Sequence, residues 1–162
     1  MNLIEGKKTI VLGLGNDILC DDAIGIKVVQ YLSQTEKRCK NVDFKHTCEM
    51  GLALLDYIVG YDLLIIIDSI KTGKAGPGTV SEVNINDVAS AGITSPHFLG
   101  VKETIELGKK LGLKMPETTR IFTIEVEDPF TVSEDLSETL QKQLDSIIKS
   151  VKDKLLGIIN YV

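Results

Sequence analysis

Five consecutive apolar residues, Leu63-Leu64-Ile65-Ile66-Ile67, form the most hydrophobic stretch of the sequence and end on Asp68. A strand with one wet face alternates apolar and polar side chains. An unbroken, β-branched run instead marks a strand covered on both faces, at the centre of a parallel sheet. Residues 62–67 are therefore read as the central strand. Elsewhere, short apolar runs alternate with amphipathic stretches, the pattern of βαβ units. A first strand is predicted over about residues 9–13, and a helix begins near Asp22 with Ile24, Val28, Val29 and Leu32 on one face. Val42 to His46 reads as a shorter, partly exposed strand, and Leu52 to Val59 as a helix. After a turn cluster at Thr72 to Gly78, Thr79 to Val83 resumes strand-like alternation. A helix over Val101 to Leu111, a fifth strand over Thr119 to Val126 and a closing helix from Ser133 to about Leu156 follow. The closing helix carries Leu136, Leu140, Leu144, Ile147, Ile148 and Val151 as its apolar stripe. The expected fold is α/β, one domain over residues 1–162, with a twisted, mainly parallel five-stranded sheet and helices on both faces.

A chain of 162 residues, 43% of them hydrophobic, suffices for such a domain and buries roughly 68–70% of its unfolded surface. The formal net charge of −5 lacks the excess of Lys and Arg with which proteins displace counterions from phosphate backbones, so nucleic acid is not an expected partner. Cys20, Cys39 and Cys48 are odd in number and have no C-x-x-C spacing, which points away from a disulfide framework or a thiolate zinc site and toward a reducing cytoplasm. Met1 to Lys8 has no long apolar core, and no apolar run approaches the ~18–20 residues of a membrane span. No membrane partner is expected, and the oligomeric state is left open.

The chemistry gathers at strand ends. Thr9-Ile10-Val11-Leu12 feeds Gly13-Leu14-Gly15-Asn16 and then Asp21-Asp22, the central strand ends on Asp68, and Ser95-Pro96-His97 carries one of two histidines. Strand ends are where open α/β sheets bind ligands, so acids there suggest a cation or a proton transfer. Each residue also has a structural explanation. Asp22 suits a helix N-cap or first turn, although Asp21 is the better cap if the helix starts at Asp22 or Ala23, leaving Asp22 to face a ligand. Asp68 suits the cap of a turn before Gly73, but a carboxylate ending so apolar a strand needs a partner or a metal. His46 reads as a surface residue, whereas Pro96 restricts Ser95 to extended geometry and so helps aim His97. Two carboxylates and an imidazole together form an O,O,N donor set with open positions, suited to a first-row divalent ion such as nickel or zinc. Cys48 and Glu49 lie close enough to a strand end to be supporting groups.

Two other chemistries fit less well. Gly13-Leu14-Gly15 begins a dinucleotide fingerprint, but Ile18 stands at its third glycine position and the acids before the helix repel phosphate. No Gly-x-Ser-x-Gly elbow frames Ser69 or Ser95 as a nucleophile.

Taken together, Gly13 to Asn16 with Asp21-Asp22-Ala23-Ile24-Gly25, Leu64 to Ser69, Gly76-Pro77-Gly78-Thr79 and Ser95 to Gly100 resemble the hydrogenase maturation endopeptidases, in the same order over nearly the whole chain. The resemblance implies a five-stranded twisted sheet. It also implies removal of a short C-terminal extension from the precursor of the [NiFe] hydrogenase large subunit after nickel insertion. It places the metal-contacting and catalytic residues on Asp22, Asp68 and His97, with no base assigned. The ion is nickel presented by the precursor, and zinc or cadmium are other divalent ions for the same donors. Two departures stand out: Asp22 is one methylene shorter than the glutamate of many relatives, and Thr47-Cys48-Glu49-Met50 replaces a commoner glycine-rich stretch. A noncatalytic nickel-dependent chaperone of the large subunit is the alternative, with a nucleotide-binding regulator behind it. Replacing His97 by alanine is expected to abolish processing and leave the protein folded.

Overall fold

The central apolar run forms β3 (Leu63–Ile70), buried along all 8 residues. It pairs in parallel with β1 (Thr9–Leu14) on one side and β5 (Thr118–Glu125) on the other. β2 (Val42–Thr47) extends the sheet beyond β1 in parallel, and β4 (Val80–Val83) closes the far edge antiparallel to β5, giving the order β2-β1-β3-β5-β4. The structure is a computed structural model that describes residues 6–87 and 97–159. Ser95 and Pro96, expected to aim His97, lie outside the described residues.

Among the described residues, four helices complete the fold: α1 (Ile24–Thr35), α2 (Leu55–Ile58), α3 (Val101–Lys110) and α4 (Glu138–Leu156). The pleat of the strands sorts their side chains to two cores. Val11, Ile65, Ile67, Phe122 and Ile124 face α1 and α4, whereas Ile10, Leu12, Leu64, Ile66 and Ile121 face α2, α3 and Phe98. Helices thus cover both faces, and the uninterrupted apolar character of β3 follows from serving both cores. The chain moves outward from β1 to β2 and then returns to the opposite side of β1 with β3. That reversal opens a crevice at the carboxyl ends of β1 and β3, where such sheets place their ligands.

The glycines after β1 bring backbone against backbone. A Cβ at Gly25, in the first turn of α1, would press into the carbonyl oxygens of Ile67 and Leu14, and one at Gly15 would meet the Asp22 carbonyl. Their bareness lets α1 and the preceding turn sit directly on β1 and β3. Gly25→Ala is expected to destabilise the fold by about 1–3 kcal/mol or more through overpacking, read as a lower denaturation midpoint. An unchanged midpoint would mean that this approach is looser than described.

The predicted elements differ from the structure mainly at their ends. Leu52 to Val59 divides into a 3-10 turn, Gly51–Leu54, and the single turn of α2. The closing helix starts at Glu138 rather than Ser133, because the Ser137 hydroxyl accepts from the Leu140 amide and caps it. The residues before it pair elsewhere: Ser133 and Leu19 form an isolated parallel bridge.

Candidate active site

β1 runs into a 3-10 turn, Cys20–Ala23, that carries Asp22. β3 carries Asp68, and His97 stands shortly before α3. These three residues meet. His97 Nε2 lies 3.3 Å from Asp22 Oδ2, and its Nδ1 lies 3.3 Å from Asp68 Oδ1. All three are buried, Asp68 completely. Ser69 touches both acids: its hydroxyl donates to Asp22 Oδ1 at 2.8 Å, and its amide donates to Asp68 Oδ1 at 2.8 Å.

Burial opposes the imidazolium, yet the adjacent Asp68 carboxylate, reinforced by the charge of Asp22, outweighs it and holds the His97 pKa above its ordinary 6.5. The imidazole thus stands between two acids that favour its charged form. Among the described residues, no three His, Cys, Asp or Glu side chains converge on one point as a ready metal cage. The donor chemistry nonetheless suits a borderline divalent ion. His97 Nδ1 is buried and makes no hydrogen bond among the described residues, so its lone pair or proton has no well-aligned partner.

The cluster lies at the foot of a cleft of about 590 Å³, lined by Asp22, Ser69 and His97 together with Leu19, Met50 and Phe130. Asp68 is not part of that lining and lies behind the imidazole. One wall is apolar and projecting: it carries Pro129 and Phe130, the latter 75% exposed. Asp128 braces this wall, its carboxylate accepting from the Phe130 and Thr131 amides and from the Thr131 hydroxyl.

Two expectations need correction. Asp21 does not cap its own helix. Its fully buried carboxylate turns across the chain, accepting from the Ser137 amide at 2.7 Å on Oδ1 and from the Asp128 and Glu127 amides at 2.9 and 3.3 Å on Oδ2. Nor does Asp68 cap the turn before Gly73. Glu125, at the end of β5, does so, taking bonds from the Thr72 and Gly73 amides and the Thr72 hydroxyl. Neither role had a sequence signal beyond an acid at an element's end. Cys48 and Glu49 are exposed and do not line the cleft, where Met50 takes their place. His46 is a surface residue, as expected, beside Gln30. The three cysteines are free thiols.

The fold and site define an α/β protein organised around a buried acid–imidazole cluster at the sheet's switch point, beneath an apolar cleft. The chain belongs to the hydrogenase maturation protease family, which matches residues 26–154, a family of peptide hydrolases. The matched segment contains Asp68 and His97 and begins just after Asp22. The chain is 33% identical over 115 residues to the hydrogenase 2 maturation protease of Escherichia coli (strain K12), covering 65% of this chain and 70% of that one. It is 28% identical over 103 residues to the hydrogenase expression/formation protein HupD of Rhodobacter capsulatus, covering 64% of this chain and 45% of that relative, less than half its length. Among solved structures, the hydrogenase maturating endopeptidase HybD from E. coli superposes with a TM-score of 0.69 at 26% identity, covering 91% of each chain. None of the described helices is long and apolar enough to cross a membrane.

Proposed function

We propose that this protein removes the C-terminal extension from the precursor of a [NiFe] hydrogenase large subunit after nickel has been inserted, working in the cytoplasm. In this reading the nickel arrives with the substrate, and Asp22, Asp68 and His97 complete its coordination. The observation that carries the proposal is the imidazole held between two buried carboxylates at the foot of an open cleft, in a chain of the maturation protease family. The family supports the processing role. The donor set supports the choice of metal, and zinc or cadmium would suit the same atoms.

A proton and a metal ion compete for these donors, because imidazole binds a metal only when the coordinating nitrogen is unprotonated. In this reading His97 is the partner of both acids in the free protein until a cation of the substrate joins them. Such an exchange makes metal insertion a condition of productive docking. Hydrolysis then adds water across the scissile amide, the carbonyl carbon gaining the hydroxyl and the leaving amine a proton. In this reading one of the two carboxylates, Asp22 or Asp68, orients the attacking water or accepts its proton. The metal would supply polarisation of the scissile carbonyl. The apolar wall at Phe130 offers the extension a surface on which to lie.

The test is the intact mass of the large-subunit precursor incubated with the purified protein, with and without nickel loading. Loss of a C-terminal peptide from the loaded precursor alone is expected. A loaded precursor that binds stably and stays uncut would replace the endopeptidase with a chaperone. Cleavage of the unloaded precursor at the same rate would remove nickel recognition from the proposal.

A further inference from the structure

We infer that Ser69 is a positioning residue of the site: its hydroxyl fixes the orientation of the Asp22 carboxylate so that Oδ2 faces His97 and the cleft. The torsion between an aspartate's Cβ and its carboxylate is soft and roughly two-fold, so packing alone holds the group weakly. At Asp22 the two oxygens have different partners. Oδ1 accepts from Ser69 Oγ at 2.8 Å, and Oδ2 lies 3.3 Å from His97 Nε2. The hydroxyl is 47 residues away in sequence and buried with its residue, which is 3% exposed. Turning the carboxylate therefore breaks a buried bond.

Consecutive side chains on β3 point to opposite faces, and the site uses that alternation. Asp68 lies on the Leu64 and Ile66 face, and Ser69 lies on the Ile65 and Ile67 face toward the turn that bears Asp22. Ser69 thereby grips both acids, Asp22 through its side chain and Asp68 through its backbone amide. The two grips are separable, since a side-chain substitution removes only the first. Hydrogen-bond partners that orient acidic and imidazole ligands commonly alter affinity or activity by roughly 10–100-fold when removed.

The structural part of this inference is independent of the reaction; its consequence for cleavage rests on the processing role proposed above. The experiment compares wild type, Ser69→Ala and Ser69→Thr. A crystal structure of each reports the Asp22 carboxylate, and single-turnover cleavage of nickel-loaded precursor separates chemistry from substrate binding. In S69A the carboxylate is expected to rotate away from His97 and the single-turnover rate to fall tenfold or more, with the melting temperature lowered by roughly 3–12 °C through loss of one buried bond to a carboxylate. S69T keeps the hydroxyl on a residue suited to a strand, and is expected to restore both orientation and rate. An unmoved Asp22 in S69A would overturn the inference. A rotated Asp22 with wild-type cleavage would overturn its bearing on catalysis. Should wild type itself leave every loaded precursor uncut, the processing reading fails, and the position of Asp22 in S69A still decides this one.

Discussion

His97→Ala is expected to abolish processing and to destabilise the free protein by about 3–5 kcal/mol, the cost of removing one partner from a buried ionic cluster. From the sequence, alanine at this position was expected to leave the protein folded. The structure changes that expectation, because Asp68 is fully buried and the side chain of Asp22 only 9% exposed, with the His97 imidazole between them. Without it, the acids must take up a proton or stay charged and uncompensated. His97→Gln is the better probe of function. Its carboxamide fills similar space and donates hydrogen bonds, so a smaller loss of about 1–3 kcal/mol is expected, while the metal-binding imidazole is gone. A folded H97Q that processes precursor at the wild-type rate would eliminate His97 from the mechanism.

The same pair of proteins has a pH signature. The folded state raises the pKa of His97, so its stabilising effect is fully present below the ordinary imidazole value of 6.5 and is lost as pH rises through the raised value. The stability advantage of wild type over H97Q should therefore shrink as pH climbs from acid through neutrality. Urea-denaturation midpoints of both proteins across that range measure it. An advantage that grows with pH would show that His97 is held neutral in the free protein.

Asp22, Asp68 and His97 were legible in the sequence because each stands in a context that leaves few positions for a side chain. Asp68 ends an apolar run that can only be a buried strand, and Asp22 follows a strand and a glycine turn. The division of labour between Asp21 and Asp22 was not legible. Neighbours in a 3-10 turn point in different directions, and the partners of Asp21 lie 106 to 116 residues away. Glu125 was hidden for a related reason: at the end of β5 it looks like one more polar strand position until the loop at Thr72 folds over it. The glycines of Gly13-Leu14-Gly15 serve close backbone packing. They face carbonyl groups of the helix and turn that bring Asp22 to the sheet. Element ends moved wherever a capping side chain or a distant pairing, such as Ser137 or Ser133, set the boundary rather than hydrophobic periodicity.

Asp21→Ala is expected to be nearly as damaging as the loss of His97, although Asp21 lies outside the candidate catalytic set. Its carboxylate receives three backbone amides from Glu127, Asp128 and Ser137, and bonds to a charged acceptor are worth roughly 1.5–3 kcal/mol each. Such terms share one anchor and do not add fully, so a loss on the order of 4 kcal/mol is expected, partly offset by release of Cys20. That residue, immediately before the anchor, is held at φ 36°, a conformation costing a non-glycine residue on the order of 1–3 kcal/mol. Asp21→Asn separates charge from geometry. An amide has one acceptor oxygen, whereas Asp21 uses both of its oxygens, so asparagine can serve either Ser137 or the Glu127–Asp128 pair but not both. An intermediate stability is expected. Amide hydrogen exchange should quicken at Asp128 or Ser137, whichever loses its acceptor. Since the freed segment carries Pro129 and Phe130 on the cleft wall, the KM for precursor should rise more than kcat falls. Equal stability of the asparagine variant and wild type, with unchanged exchange at both amides, would show that other contacts hold the 127–137 segment in place.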